Sequence, residues 1–346
     1  MEKKEIISSI STWGNGEIYL GVVGAVRTGK STFIKKVIEN FIVPNIEDED
    51  LKKRCIDEAP QSAPGKTIMT MEPKFIPSSG ANIKIDEFTT NVKLIDCVGY
   101  VIKSANGYED ELGNPRMVKT PWYDEEIPFM EAAEIGTEKV IKDHATIGIV
   151  MTTDGSFGEF TRGEITSTEE KVITELKMIN KPFIVVLNTT HPEKEETRNL
   201  AKSLTDNYDV PVLPVNVDKM TELDMYEILK TALYEFPILD IEINIPSWVH
   251  SLANNHPIKE EYLTKLRESM DGISKLKDAE NIINYYKDSK YISKAYISNV
   301  NTSNGVVTLN LDSSNELYNE TLKELLGGIS LTKGNLLKIF MDYSSG

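Results

Sequence analysis

An apolar run, Ile18-Tyr19-Leu20-Gly21-Val22-Val23, leads without interruption into Gly24-Ala25-Val26-Arg27-Thr28-Gly29-Lys30-Ser31. The run has the texture of a buried strand, and the segment behind it carries Phe33, Ile34, Val37 and Ile38 at helical spacing. Between them, the spacing G-x-x-x-x-G-K-S predicts a phosphate-binding loop at a strand-to-helix junction. The glycines permit a turn whose backbone N–H groups converge on phosphates. Lys30 reaches the β- and γ-phosphates, and the Ser31 hydroxyl is a Mg²⁺ ligand. The helix that starts there adds the positive end of its dipole. This junction constrains the chain to an α/β fold with the loop at the edge of a mostly parallel sheet.

A second part of such a site is expected at Asp96, which closes the strand Val92–Ile95 and is followed by Gly99. In D-x-x-G after a strand, the carboxylate holds Mg²⁺ and the glycine N–H meets the γ-phosphate. Between the two motifs lie Thr67 and Thr70. Each has two readings: a loop threonine that completes the Mg²⁺ shell and senses the γ-phosphate, or an ordinary strand threonine. Tyr100 stands where a water-positioning Gln or His would help hydrolysis, so slow turnover is expected. Arg27 and Arg116 are charge donors to the transition state or plain surface guanidinium groups, the second being the commoner outcome.

After the expected strand 183–187 the chain reads Asn188-Thr189-Thr190-His191. A guanine reader carries N-K-x-D there, with the carboxylate accepting from guanine N1–H and the 2-amino group. That carboxylate is missing and adenine does not need it, so ATP is expected over GTP. Asn188 either meets the base edge or caps the next turn.

Beyond residue 140, strands at 147–151, 183–187 and 212–217 alternate with helices at 164–179, 193–206 and 225–234, which predicts helices on both faces of the sheet. Residues 42–66 read as loop, and a hairpin is expected to turn at Pro77–Gly80. Residues 100–135 show no clear period before a helix from about Phe129 to Asp143. After Phe236-Pro237 the texture changes: helix-rich 257–287, a hairpin around Asn304-Gly305 and a helix at Glu316–Leu326 predict a small α+β domain. The net charge is −16, of which residues 241–346 hold −2, leaving −14 on residues 1–240. The asymmetry places a domain boundary near 240, giving domains 1–240 and 241–346. Such acidity argues against non-specific nucleic-acid binding, which needs clustered Lys and Arg. The phosphate loop must then supply its own local positive potential. With two isolated cysteines, Cys55 and Cys97, and no apolar run of membrane-spanning length, a cytoplasmic protein is expected.

These strings resemble one family. The segment Ile18–Thr32, including Thr32 at its end, is similar to the nucleotide-binding segment of stage IV sporulation protein A, the spore coat morphogenetic ATPases of endospore-forming bacteria. So are Pro60-Gln61-Ser62, Gly65-Lys66-Thr67-Ile68-Met69-Thr70, Asp96-Cys97-Val98-Gly99-Tyr100, Pro121-Trp122-Tyr123 and Glu131–Thr137. Tyr234-Glu235-Phe236-Pro237 and Pro246-Ser247-Trp248-Val249 continue the likeness. It implies a P-loop NTPase domain, translational-GTPase-like, that has switched to ATP. It also implies ATP hydrolysis that drives self-assembly into the basement layer of the coat, in the mother-cell cytoplasm at the forespore outer surface. Lys30, Asp96 and Thr70 fall on the family's Walker-A lysine, Walker-B aspartate and sensor threonine. Where relatives can carry a second threonine, this chain has Met71. The implied partners are copies of itself, a small amphipathic-helix membrane-anchoring protein and other coat morphogenetic proteins. Family members end in a further anchoring domain, so the chain, stopping at Gly346, is expected to be a fragment without it. The alternative from the residues alone is a cycling GTPase-type switch that does not polymerise.

Overall fold

The computed structural model describes the chain except for residues 61–72, 98, 103–113, 121–122, 159, 329–332 and 345–346. Contacts divide it into Met1–Phe236 and Pro237–Gly346.

The first unit begins with a helix, α1 (Lys3–Trp13), ahead of the first expected strand. Ile6 and Ile7 each lie about one turn before Ile10, all three are buried, and Trp13 packs on Phe236 with ring centroids 4.9 Å apart. Strand β1 (Glu17–Gly24) and helix α2 (Lys30–Val37) follow as expected, with Phe33, Ile34, Val37 and Ile38 fully buried. The expected loop over 42–66 is corrected by a π turn (Ile38–Ile42), a 3-10 turn (Val43–Asn45) and helix α3 (Glu49–Asp57). An acidic stretch, Glu47-Asp48-Glu49-Asp50, leads into α3: Asp48 accepts from Asp50 N at 2.8 Å and Leu51 N at 3.1 Å, while Glu49 and Asp50 lie at the positive helix end.

Strands β2 (Lys74–Ile85) and β3 (Phe88–Asp96) form the predicted hairpin, but the turn is elsewhere. Ile85 pairs with Phe88, so Asp86-Glu87 is the turn, with Asp86 in the left-handed region at φ 55°. Pro77–Gly80 is an insertion inside β2: pairing breaks after Ile76–Leu94 and resumes at Ala81–Val92. A Pro-Ser-Ser-Gly string is the stronger turn signal, yet cross-strand burial of Ala81, Ile83 and Ile85 set the register. A second hairpin, β4 (Met117–Thr120) with β5 (Tyr123–Pro128), lies where no period was read.

The rest alternates: α4 (Phe129–His144), β6 (Ile147–Thr153), α5 (Arg162–Ile179), β7 (Phe183–Asn188), α6 (Glu195–Tyr208), β8 (Val212–Val215) and α7 (Glu222–Leu233). The six-stranded sheet runs β2-β3-β1-β6-β7-β8, parallel except for β2. On one face α4, α5 and α6 bury Ile141, Val172, Leu176 and Leu204 against Val23, Ile95, Val150 and Val185. Helices α1, α2 and α7 cover the other. β6 and β7 are buried along their whole length, as strands covered on both faces must be.

The second unit is a three-stranded sheet ordered β10-β11-β9, from β9 (Asp240–Asn244), β10 (Lys294–Asn301) and β11 (Val306–Asp312). The β10–β11 hairpin turns through Asn304-Gly305, with Gly305 at φ 69°. Between β9 and β10 come α8 (Ser247–Ser251), α9 (Pro257–Met270) and a 3-10 segment (Leu276–Tyr286). α10 (Asn315–Leu325) and α11 (Lys333–Ser344) follow β11. Tyr262, Ile282, Val307, Leu309 and Leu311 are its core.

Candidate nucleotide site

The carboxyl ends of the parallel strands carry the candidate residues. Gly24 leaves β1 at φ 138°, where a Cβ would lie 2.2 Å from Met151 O. Only glycine fits there. Gly29 precedes α2 at φ 94°, and its missing Cβ makes room for the Asn188 amide, which would otherwise lie at 2.3 Å. Arg27 also takes a left-handed conformation, at φ 64°. Thr28, wholly buried, donates its hydroxyl to Ala25 O at 2.9 Å and ties the loop to itself.

Lys30 sits inside this loop. Its ammonium donates to Ala25 O at 2.7 Å and to Gly24 O at 3.2 Å, and the residue is buried. Burial lowers its pKa from 10.5 to about 8, while the Asp96 carboxylate pulls the other way. Asp96 is held at the end of β3 by parallel pairing with Val22 of β1. Its own pKa is raised by burial, against the pull of Lys30 and then Lys74. The chain beyond β3 stays joined to the loop: Cys97 N donates to Val22 O, Tyr100 N to Gly24 O at 3.1 Å, and Val26 N to Tyr100 O at 2.9 Å. Gly99 therefore lies against the lysine, and a Cβ on it would be 2.7 Å from Lys30 Nζ. The two sequence motifs, more than sixty residues apart, thus share one pocket wall. The buried Asp96 carboxylate and the Ser31 hydroxyl, in the first turn of α2, are hard oxygen donors of the kind that suit Mg²⁺. Thr70 and Thr67 lie outside the described residues.

The remaining candidates have partners of their own. Tyr100 does not face the phosphate loop with its phenol, which donates to Glu175 Oε2 of α5 at 2.6 Å. Arg116 lies over the Phe129 ring at 5.7 Å. Of the aromatics Trp122, Tyr123 and Phe129, Phe129 packs into the core with Ala133, Tyr123 is exposed, and Trp122 lies outside the described residues. Asn188 reaches the loop itself: its amide donates to Thr28 O at 3.2 Å and its carbonyl oxygen accepts from Val217 N at 3.3 Å.

Residues 1–237 match the family model described as "Stage IV sporulation protein A, ATPase domain", and residues 238–345 match its middle domain. The chain belongs to the stage IV sporulation protein A family. It is 46% identical over 345 residues to stage IV sporulation protein A of Bacillus anthracis, covering 99% of this chain and 70% of that protein. The same protein of Bacillus subtilis (strain 168) gives the same identity and coverage. That of Clostridioides difficile (strain 630) is 48% identical over 323 residues, 93% of this chain and 66% of that one. Membership in the stage IV sporulation protein A family makes the first unit a P-loop ATPase domain and the chain a sporulation protein.

Some of the wall beside Asn188 was not singled out from the sequence. Asp154, Ser156 and Asn216 all make side-chain bonds to the Asn188–His191 turn or to its neighbours. The available signal is a polar Thr152-Thr153-Asp154-Gly155-Ser156 after the apolar run Ile147–Met151, at the strand ends where ligands bind. Beneath it, buried Glu169 forms a two-pronged pair with Arg162, at 2.5 and 2.6 Å, and accepts from Thr152 and from Tyr208 at 2.7 Å.

Proposed function

We propose that the chain binds ATP with Mg²⁺ at the Lys30 loop and hydrolyses it slowly, and that this drives self-assembly into the basement layer of the spore coat at the forespore surface. The observation that carries the reading is the shared wall of Lys30, Asp96 and Gly99 next to a base-side turn that ends in His191 instead of an aspartate. Lys30 neutralises phosphate charge in a buried setting, where one ammonium counts for more than in water. Gly24, Ala25, Val26, Arg27, Thr28, Gly29, Ser31 and Thr32 form the cradle, Ser31 and Asp96 hold the ion together with Thr70, and Gly99 presents its N–H. Held there, Mg²⁺ would supply positive charge to offset the negative charge that develops on the phosphate oxygens.

The slow rate follows from Tyr100, whose phenol is committed to Glu175 and cannot orient a water. The partner in the first instance is a second copy of the chain. The amphipathic-helix anchoring protein and other coat proteins then join at the forespore surface. Sedimentation tests this: more protein should pellet with ATP than with a non-hydrolysable analogue or with Lys30→Ala. Equal pelleting in all three arms would end the claim that hydrolysis drives assembly, and tighter GTP than ATP binding would favour a cycling switch.

A further inference from the structure

The terminal-phosphate end of the site is marked by Lys30 and Gly99, on the β3 side of β1. From there the loop runs back through Thr28 and Gly29, which touch Asn188 and Phe157 on the β6–β7 side. A triphosphate laid along the loop therefore sends its nucleoside over the ends of β6, β7 and β8.

Those ends are laced together by side chains. The Thr189 hydroxyl donates to Asp154 Oδ2 at 2.5 Å and accepts from His191 N at 3.1 Å. Asp154 Oδ1 accepts from Ser156 N at 2.8 Å, and the Ser156 hydroxyl accepts from Thr190 N at 2.9 Å. Asn216 donates from its amide to Thr190 O at 3.2 Å. Arg162, held by Glu169, donates to Thr153 O at 3.2 Å and pins the root of the Asp154 loop. Both Asp154 oxygens are engaged, and Thr189 is almost wholly buried.

We infer that Asp154 is a positioning residue for the nucleoside half of ATP: through the Thr189 hydroxyl it holds the Asn188–His191 turn in the shape that meets ribose and base. The inference rests on the Lys30 loop being the ATP site. It assigns to Asp154 and Thr189 a role in binding nucleoside that the phosphate loop does not share. A charge-assisted hydrogen bond between two loops is strong enough to fix their spacing, and its loss leaves the turn free to shift.

Isothermal titration of the full chain with Mg-ATP and, separately, with Mg-tripolyphosphate separates the two halves of the ligand. Thr189→Val keeps shape and removes the hydroxyl; it should weaken ATP about tenfold, one good hydrogen bond's worth, and tripolyphosphate less than about twofold. Thr189→Ser should restore ATP binding. Asp154→Asn keeps an acceptor for Ser156 N–H and a donor for the Thr189 oxygen, so it should fall between wild type and Thr189→Val, and it carries the test if the valine variant does not fold. Equal losses for both ligands, no loss, or a serine variant as weak as the valine one would overturn the inference alone. Lys30→Ala should lose both ligands, and ATP binding that survives it would overturn the site assignment and this inference together.

Discussion

Lys30 Nζ lies 2.7 Å from the carbonyl oxygen of Ala25, so the buried ammonium is gripped by its own loop. Its pKa of about 8 in the folded chain lies below the 10.5 of an exposed lysine because burial disfavours the charge. Between those two values the unfolded chain carries the proton and the folded chain has lost it, so this group makes stability rise with pH through that window. Lys30→Met keeps the stem and removes the charge. It should abolish ATP hydrolysis yet melt higher than wild type without nucleotide, with the gap closing from about pH 8 to about pH 10.5. Thermal melts across that range and a phosphate-release assay check this; a methionine variant that melts lower at neutral pH contradicts it.

Gly99→Ala should cost ATP affinity. The new Cβ would stand 2.7 Å from Lys30 Nζ and from Val26 Cγ1, and 3.0 Å from the Val26 backbone. Val26 N–H is bonded to Tyr100 O, so the backbone cannot yield and the lysine must. The expected loss in ATP binding is tenfold or more, on the order of 1–3 kcal/mol of overpacking. Gly163→Ala, in open space within α5, is the matched control and should bind ATP as wild type does.

Glu169→Gln tests the pair under the Asp154 loop. Removing one partner of a buried ion pair leaves the other uncompensated, so urea unfolding should show a loss of about 3 kcal/mol. The double variant Glu169→Leu with Arg162→Met should recover much of it. A single-variant loss below about 1 kcal/mol would mean that the pair is screened like a surface one.

Both thiols should be quiet in the folded chain. Cys55 and Cys97 are buried, and burial pushes Cys55 up to about 11 and Cys97 higher still. At mildly alkaline pH the thiolate of Cys55 is then about 100-fold scarcer than for an exposed cysteine. Iodoacetamide labelling followed by mass spectrometry should find neither modified natively and both modified in urea; rapid native labelling would refute this.

Assembly should depend strongly on salt. Residues 1–240 carry −14, so copies repel one another at low ionic strength until added ions screen them. Light scattering with ATP across a salt series reads this directly, and indifference to ionic strength would count against it.

Strand–loop–helix at Gly24–Ser31 was legible because its residue types have few other uses. The alternation after residue 140 was legible because period alone separates buried strands from amphipathic helices. Helix α1 was not read, although Ile6, Ile10 and Trp13 have helical spacing, because its polar residues outnumber them. The turn at Pro77–Gly80 failed for a different reason. Local turn chemistry was strong there, but the register of Ile83 and Ile85 against β3 outweighed it.

By itself, then, the sequence determined the phosphate loop, the order of strands and helices, the missing guanine carboxylate and the family. These are properties of short strings and their spacing. Only the tertiary structure decided that Lys30 and Gly99 touch, that Tyr100 turns its phenol away to Glu175, and that Asp154 grips Thr189 across two loops. Such relations depend on which strand ends lie side by side in the sheet, and order along the chain does not state that.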